Sequence, residues 1–208
     1  MSLDISQWVK ITRDNTALLV IDMQVDFYSP EGRAAKRGRP VADMQKIAKK
    51  VSDFAQSLSR IGVFVVFTKF IADKGITPEN LRRAVEKEGH DFPCMKGSGG
   101  EELYGVDLPD KALIIEKPHY DAFSYTNLNS TLKSRHVQNV LVCGVRTEIC
   151  VDATAKRAAS EGYDTFILSD LVATYGDRKT SHGEVLKLFY MYYGFVVSSK
   201  EVMEQLKI

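Results

Sequence analysis

Three side chains able to act together, a thiol, a carboxylate and an amine, each stand at the end of a short apolar run. Cys150 closes the stretch VLVCGVRTEIC, which begins at Val140. The β-branched run from Asn139 to Cys143 reads as a buried strand ending at Gly144, and Thr147 is a good N-cap for a following helix. Ile149, Val151, Ala155, Ala158 and Ala159 recur at helical spacing as far as Gly162, so Cys150 falls in the first turn. Unpaired N–H groups and the positive end of the helix dipole stabilise a thiolate there. A small packing residue would suit the same position. Two other strand ends shift the balance: ALLVID delivers Asp22 and ALIIEK delivers Lys117. Base, electrostatic partner and nucleophile are the parts of an activated cysteine.

The elements that must position these groups alternate along the chain. Strand signals at 63–68, 165–170 and 194–198 join the three already named, and helical periodicity fills about 41–60, 78–88, 125–135, 147–161, 179–192 and 199–206. Continuous apolar strands separated by helices imply a parallel sheet covered on both faces, a doubly wound three-layer α/β/α sandwich. No repeat or linker divides the chain, so residues 1–208 are expected to form one domain, with 1–13 as an N-terminal extension. The longest irregular stretch, Gly89 to Asp110, has the length of a lid or binding loop.

The segments LLVIDMQVDF around Asp22, EKPHYDAFSYTNL around Lys117 and GVRTEICVDATA around Cys150 resemble, in order and spacing, the isochorismatase-like cysteine hydrolases. The likeness runs from about residue 14 to the C-terminus. It implies a six-stranded sheet in the order 3-2-1-4-5-6, whose reversal between strands one and four would place the pocket between Asp22 and Cys150. It also implies Asp22, Lys117 and Cys150 as the catalytic residues. An oxyanion hole would come from the backbone N–H groups of Arg146 and Cys150, beside a cis bond between Val145 and Arg146. Family members that cleave the vinyl ether of isochorismate need no thiol, so Cys150 favours attack on an amide or carbamoyl carbon through a thioester. Nicotinamidases carry an Asp-x-His metal box after the second strand. The matching positions here are Phe70 and Ala72, so neither metal nor cofactor is expected. What remains is similar to hydrolases of N-carbamoylsarcosine or ureidoacrylate, acting on a small-molecule amide. Phe27, Thr68 and Arg146 are candidate substrate contacts, with the Arg146 guanidinium suited to a carboxylate. Lys69 is expected to point to solvent. Asp121 departs from the Ser that many relatives carry. The alternatives are an isochorismatase-type vinyl ether hydrolase, a nicotinamidase, and a non-catalytic binding domain of the same fold. The resemblance also implies a homo-oligomer, dimer or tetramer.

Composition removes other classes. With 208 residues and a net charge of +1, the chain has no dense basic stripe, which sets nucleic acid aside. The cluster Arg33, Lys36, Arg37 and Arg39 is expected to be a solvated loop. No apolar run approaches the roughly 20 residues of a membrane span, and Met1 to Arg13 lacks a signal-peptide pattern. Cys94, Cys143 and Cys150 are odd in number and unpaired in spacing, which points to a reducing compartment and a cytoplasmic location. The histidines (His90, His119, His136, His182) show no metal spacing, and His119 reads as pocket wall. Gly97 to Gly100 lacks the Lys-Ser/Thr of a phosphate loop.

Overall fold

The computed structural model describes residues 7–87, 89 and 91–207, so His90 and the first six residues lie outside the description. The chain runs β1 (Thr16–Ile21), α1 (Val25–Tyr28), α2 (Arg33–Lys36), α3 (Ala42–Arg60), β2 (Phe64–Phe70), α4 (Glu79–Glu86) and β3 (Leu113–Lys117). It continues through α5 (Leu128–Ser134), β4 (Asn139–Val145), a π turn (Thr147–Val151) and α6 (Asp152–Ser160). It ends with β5 (Asp164–Ala173), a 3-10 turn (Gly176–Arg178), α7 (Lys179–Tyr192), β6 (Phe195–Val197) and α8 (Ser199–Leu206).

The six strands pair in the order β3-β2-β1-β4-β5-β6, and every pairing is parallel. Period-two alternation in β1 divides its side chains between two cores. Leu18 and Val20 join Val51, Ala55 and Leu58 of α3 and Val202 of α8 on one face. Ala17, Leu19 and Ile21 join Leu128 and Leu132 of α5, Ala155 and Ala158 of α6 and Phe189 of α7 on the other. Both faces are therefore covered, as parallel strands of continuous apolar character require.

β3 departs from that expectation. As an edge strand it alternates, with Ile115 and Lys117 buried and Ile114 and Glu116 exposed. Charge on an exposed edge discourages pairing with another chain. The hairpin-like pair α1 and α2 has no sequence signature, because four-residue helices are too short to show a period or to stand alone. Among the described residues no helix is long and apolar enough to cross a membrane.

Candidate active site

The chain leaves β1 toward β2 and leaves β4 toward β5, on opposite sides, so a crevice opens above the C-terminal ends of β1 and β4. Asp22 follows β1 directly, with φ of 48°. Aspartate is among the few side chains that tolerate this left-handed region. Strand alternation continued through Asp22 would aim it with Leu18 and Val20 under α3; the left-handed turn re-aims it. Its Oδ1 accepts from the Thr68 hydroxyl at 2.6 Å, and its own N–H donates to Thr68 Oγ1 at 3.2 Å. Thr68, expected to touch substrate, is fully buried on β2 with its hydroxyl committed to Asp22, and it is not part of the cavity wall.

Lys117 reaches Asp22 from β3 across the intervening β2, a gap of two strand spacings or roughly 9–10 Å. Its Nζ lies 2.7 Å from Asp22 Oδ2, with both side chains 0% exposed. The same nitrogen donates to the carbonyls of His119 and Tyr120, each at 2.9 Å. Three acceptor groups thus surround an ammonium that has three hydrogens. Burial alone would lower the Lys117 pKa; Asp22 and then Cys150 reverse that and leave it raised. Asp22 Oδ2 meets the ammonium outside hydrogen-bonding geometry and receives no hydrogen bond. It is the oxygen with capacity for a proton. Just beyond the two carbonyls, Asp121 Oδ1 accepts the N–H groups of Phe123 and Ser124 and shapes the turn.

Cys150 arrives from the other side of the crevice. At Gly144 a Cβ would stand 2.2 Å from the Ile21 carbonyl oxygen, and φ there is +107°, so glycine is what lets β4 close on the end of β1. The Val145–Arg146 peptide is cis, as the family resemblance implies. The Arg146 carbonyl then accepts from Ile149 N–H at 3.1 Å and Val151 N–H at 3.2 Å, passing over the Cys150 amide between them. The five-residue span makes this a π turn, a local geometry common at functional sites. Thr147 therefore does not cap the helix: its hydroxyl pairs with His182 Nδ1 at 2.9 Å instead.

The expected lowering of the Cys150 thiol by a helix start does not prevail. Burial is the largest influence, Lys117 pulls the other way, and the charge of Asp22 pushes up again, to about 12. At neutral pH the group therefore rests as a thiol. Cys143 and Cys94 are also buried and raised by burial first, and neither touches this cavity.

Cys150 lines a cavity of about 690 Å³ together with Phe27, Phe70, Tyr120 and Ile149. Phe27 and Phe70 meet at 6.5 Å between ring centres. Arg146 also borders the cavity, but its guanidinium stands 4.6 Å over the Tyr175 ring and gives Nε and Nη2 to Glu148 Oε1. Lys69, expected in solvent, is mostly buried and paired with Glu102 at 3.0 Å. Phe70 and Ala72, where nicotinamidases would bind metal, are buried hydrocarbon that offers no ligand atom. Among the described residues no three His, Cys, Asp or Glu side chains group as a metal site.

The cluster at 33–39 is not a free solvated loop. Asp26 accepts the N–H groups of Arg33 and Cys94, and this folds α2 over the cavity, where Arg33, Arg37 and Arg39 form part of the wall. The 91–110 part of that segment is pinned rather than loose: Gly100 and Glu102 carbonyls accept from Asp26 and Val25, and Phe92 and Pro93 border the cavity. Tyr120 and Tyr175 carry no role in the sequence reading, and Ile149 counted there only as part of a helical face. Tyr175 follows the end of β5, so the strand-end rule that found Asp22 and Lys117 could have found it too.

The profile described as Isochorismatase domain matches residues 16–201. The chain is 31% identical to the uncharacterized isochorismatase family protein YddQ of Bacillus subtilis, over 76% of this chain and 78% of that protein. It is 25% identical to the ureidoacrylate amidohydrolase RutB of Stutzerimonas stutzeri, over 74% of this chain and 68% of RutB. The crystal structure of N-carbamoylsarcosine amidase from Thermoplasma acidophilum superposes with a TM-score of 0.73 at 26% identity, covering 89% of this chain and 96% of the other.

Proposed function

The chain belongs to the isochorismatase family, and from that premise we propose that it is a cysteine amidohydrolase cleaving a C–N bond of a small amide or ureide through a thioester. The observation that carries this reading is the buried contact of Asp22 Oδ2 with Lys117 Nζ at 2.7 Å, with Cys150 close enough to feel the charge of both.

Because the thiol is raised to about 12, a standing thiolate does not supply the rate. Asp22 takes the proton as sulfur attacks the carbonyl carbon. Lys117, paired with that carboxylate, balances charge as it forms on sulfur. The oxyanion is received by the N–H groups of Arg146 and Cys150; loss of one such donor costs about 2.7–4 kcal/mol in other hydrolases. Asp22, now protonated, gives its proton to the departing nitrogen, and ammonia or an amine leaves. Water then enters, loses a proton to Asp22, and attacks the thioester. The acid departs and the proton returns to sulfur. Names of relatives, an amidohydrolase of ureidoacrylate and an amidase of N-carbamoylsarcosine, agree with C–N chemistry.

A screen for ammonia release across simple amides and ureides, with isochorismate cleavage assayed beside it, tests the reading. Ammonia release from one of the amides or ureides, lost by at least about a thousandfold in Cys150→Ala, is expected. Isochorismate cleavage that survives in Cys150→Ala, with no amide turned over, would replace it by the vinyl ether reaction.

A further inference from the structure

The Cys150 amide is wanted for the oxyanion, yet it stands where a helix start would ordinarily consume it. Thr147 is a preferred N-cap residue, and an N-cap hydroxyl accepts from the N–H three residues on, which here is that of Cys150. The structure adopts the other register. Arg146, with extended backbone at φ −92° and ψ 142°, takes the cap position, so Thr147 stands one place inside the turn. The Arg146 carbonyl takes the N–H groups of Ile149 and Val151 and leaves out that of Cys150. The contact that sets Thr147 in this register comes from α7. His182 lies near the start of that helix, ahead of Leu186 and Phe189, which join Val151 and Ala155 in one core. Its Nδ1 is 2.9 Å from the Thr147 hydroxyl. Thr147 is fully buried, and its hydroxyl has no other partner among the described residues. The one hydroxyl hydrogen therefore goes to Nδ1, and the ring carries its own hydrogen on Nε2. Burial lowers the His182 pKa against the opposing charge of Glu148, which leaves Nδ1 free to accept near neutrality.

Resting on the amidohydrolase reading, we infer that His182 is a positioning residue for the oxyanion hole. By holding the Thr147 hydroxyl it keeps Thr147 from capping the helix, and so leaves the Cys150 N–H for the substrate oxygen. His182 does not line the cavity and acts only through Thr147. Without the ring nitrogen, the buried hydroxyl loses its partner, which is unfavourable. The nearest remedy is local: a slip of one residue makes Thr147 the cap and ties up the Cys150 amide. Sequence preference and tertiary contact thus pull the same turn in two directions, and the contact from α7 wins.

The test is a rescue. His182→Phe keeps a ring and removes the acceptor. Its Cys150 N–H should exchange with D2O about tenfold or more slowly than in the wild type, read by NMR on the full chain without ligand. Ammonia release is followed on acetamide, benzamide and methylurea. There kcat should fall by about tenfold to a hundredfold with KM within about threefold, since outright loss of an oxyanion donor costs about 10²–10³. Thr147→Val removes the hydroxyl that would cap, so adding it to His182→Phe should return exchange and kcat to within about threefold of the wild type. His182→Asn places an acceptor oxygen where Nδ1 was and should behave as the wild type. A histidine that only packed α7 would give no such rescue. Unchanged exchange in His182→Phe, or a loss of kcat that Thr147→Val does not restore, would overturn the inference. If His182→Phe does not fold, His182→Ala carries the same comparison. Absence of ammonia release from any amide or ureide would sink the amidohydrolase reading alone, because the exchange measurement needs no substrate.

Discussion

At the scale of single residues, the site works by opposed influences on one sulfur. Asp22 raises the Cys150 thiol and Lys117 lowers it. Two variants that both abolish turnover should therefore move thiol reactivity in opposite directions. Asp22→Asn removes the negative neighbour, and its Cys150 should be alkylated by iodoacetamide faster than the wild type at pH 8. Lys117→Met keeps the volume and removes the positive neighbour, and alkylation should slow. Rate against pH, with the modified cysteine identified by peptide mass, reads both; matching profiles in the two variants would mean that neither group acts on the sulfur. All three residues were visible in the sequence because Asp22 and Lys117 close apolar strands and Cys150 opens the helix that follows one. The committed hydroxyl of Thr68 was not, since a Thr at a strand end looks the same whether it faces a cavity or a neighbouring carboxylate.

At the scale of elements, the decisive piece is the join from β4 through the π turn into α6. Gly144 lets this join approach β1 within contact of Ile21. Gly144→Ala places a methyl against a backbone carbonyl at a left-handed φ, and should cost about 2–4 kcal/mol of stability by urea denaturation, with activity lost alongside. Most strand and helix positions were legible to within about three residues because their periods differ. The π turn was not, because five residues bonded i to i+5 leave no period, and Thr147 therefore looked like a cap. The α1–α2 fold-back escaped for a related reason. It is held by the Asp26 carboxylate on the backbone N–H groups of Arg33 and Cys94, distant partners that no local pattern announces.

At the scale of the whole molecule, the doubly wound sheet sets both where chemistry occurs and how the protein responds to alkali. The alternation of strands and helices made the layers readable, and the family likeness supplied the strand order, which the structure bears out. Net charge hid the cationic cavity wall, since a sum cannot show clustering. Burying the triad has a consequence for stability. The Cys150 thiol ionises near 9 when unfolded and near 12 when folded. Its contribution is complete below pH 9 and is lost as pH rises toward 12, at about 1.4 kcal/mol for each unit in between. Lys117, also raised, keeps its contribution below its unfolded value of 10.5 and loses it above the folded one. Both act in the same direction, so the melting temperature should fall steeply from pH 9 to 11. Cys150→Ala should flatten part of that slope, and an identical slope in the variant would show that the sulfur is not buried as a neutral thiol.

The account rests on sulfur becoming acylated. The most direct measurement is intact-protein mass after acid quench during steady turnover of a substrate found by the ammonia screen. The wild type should carry an added acyl or carbamoyl mass that maps to the peptide containing Cys150 and vanishes when substrate is exhausted, with no such mass in Cys150→Ala. Full turnover by Cys150→Ala, or an adduct that maps to another residue, would contradict it.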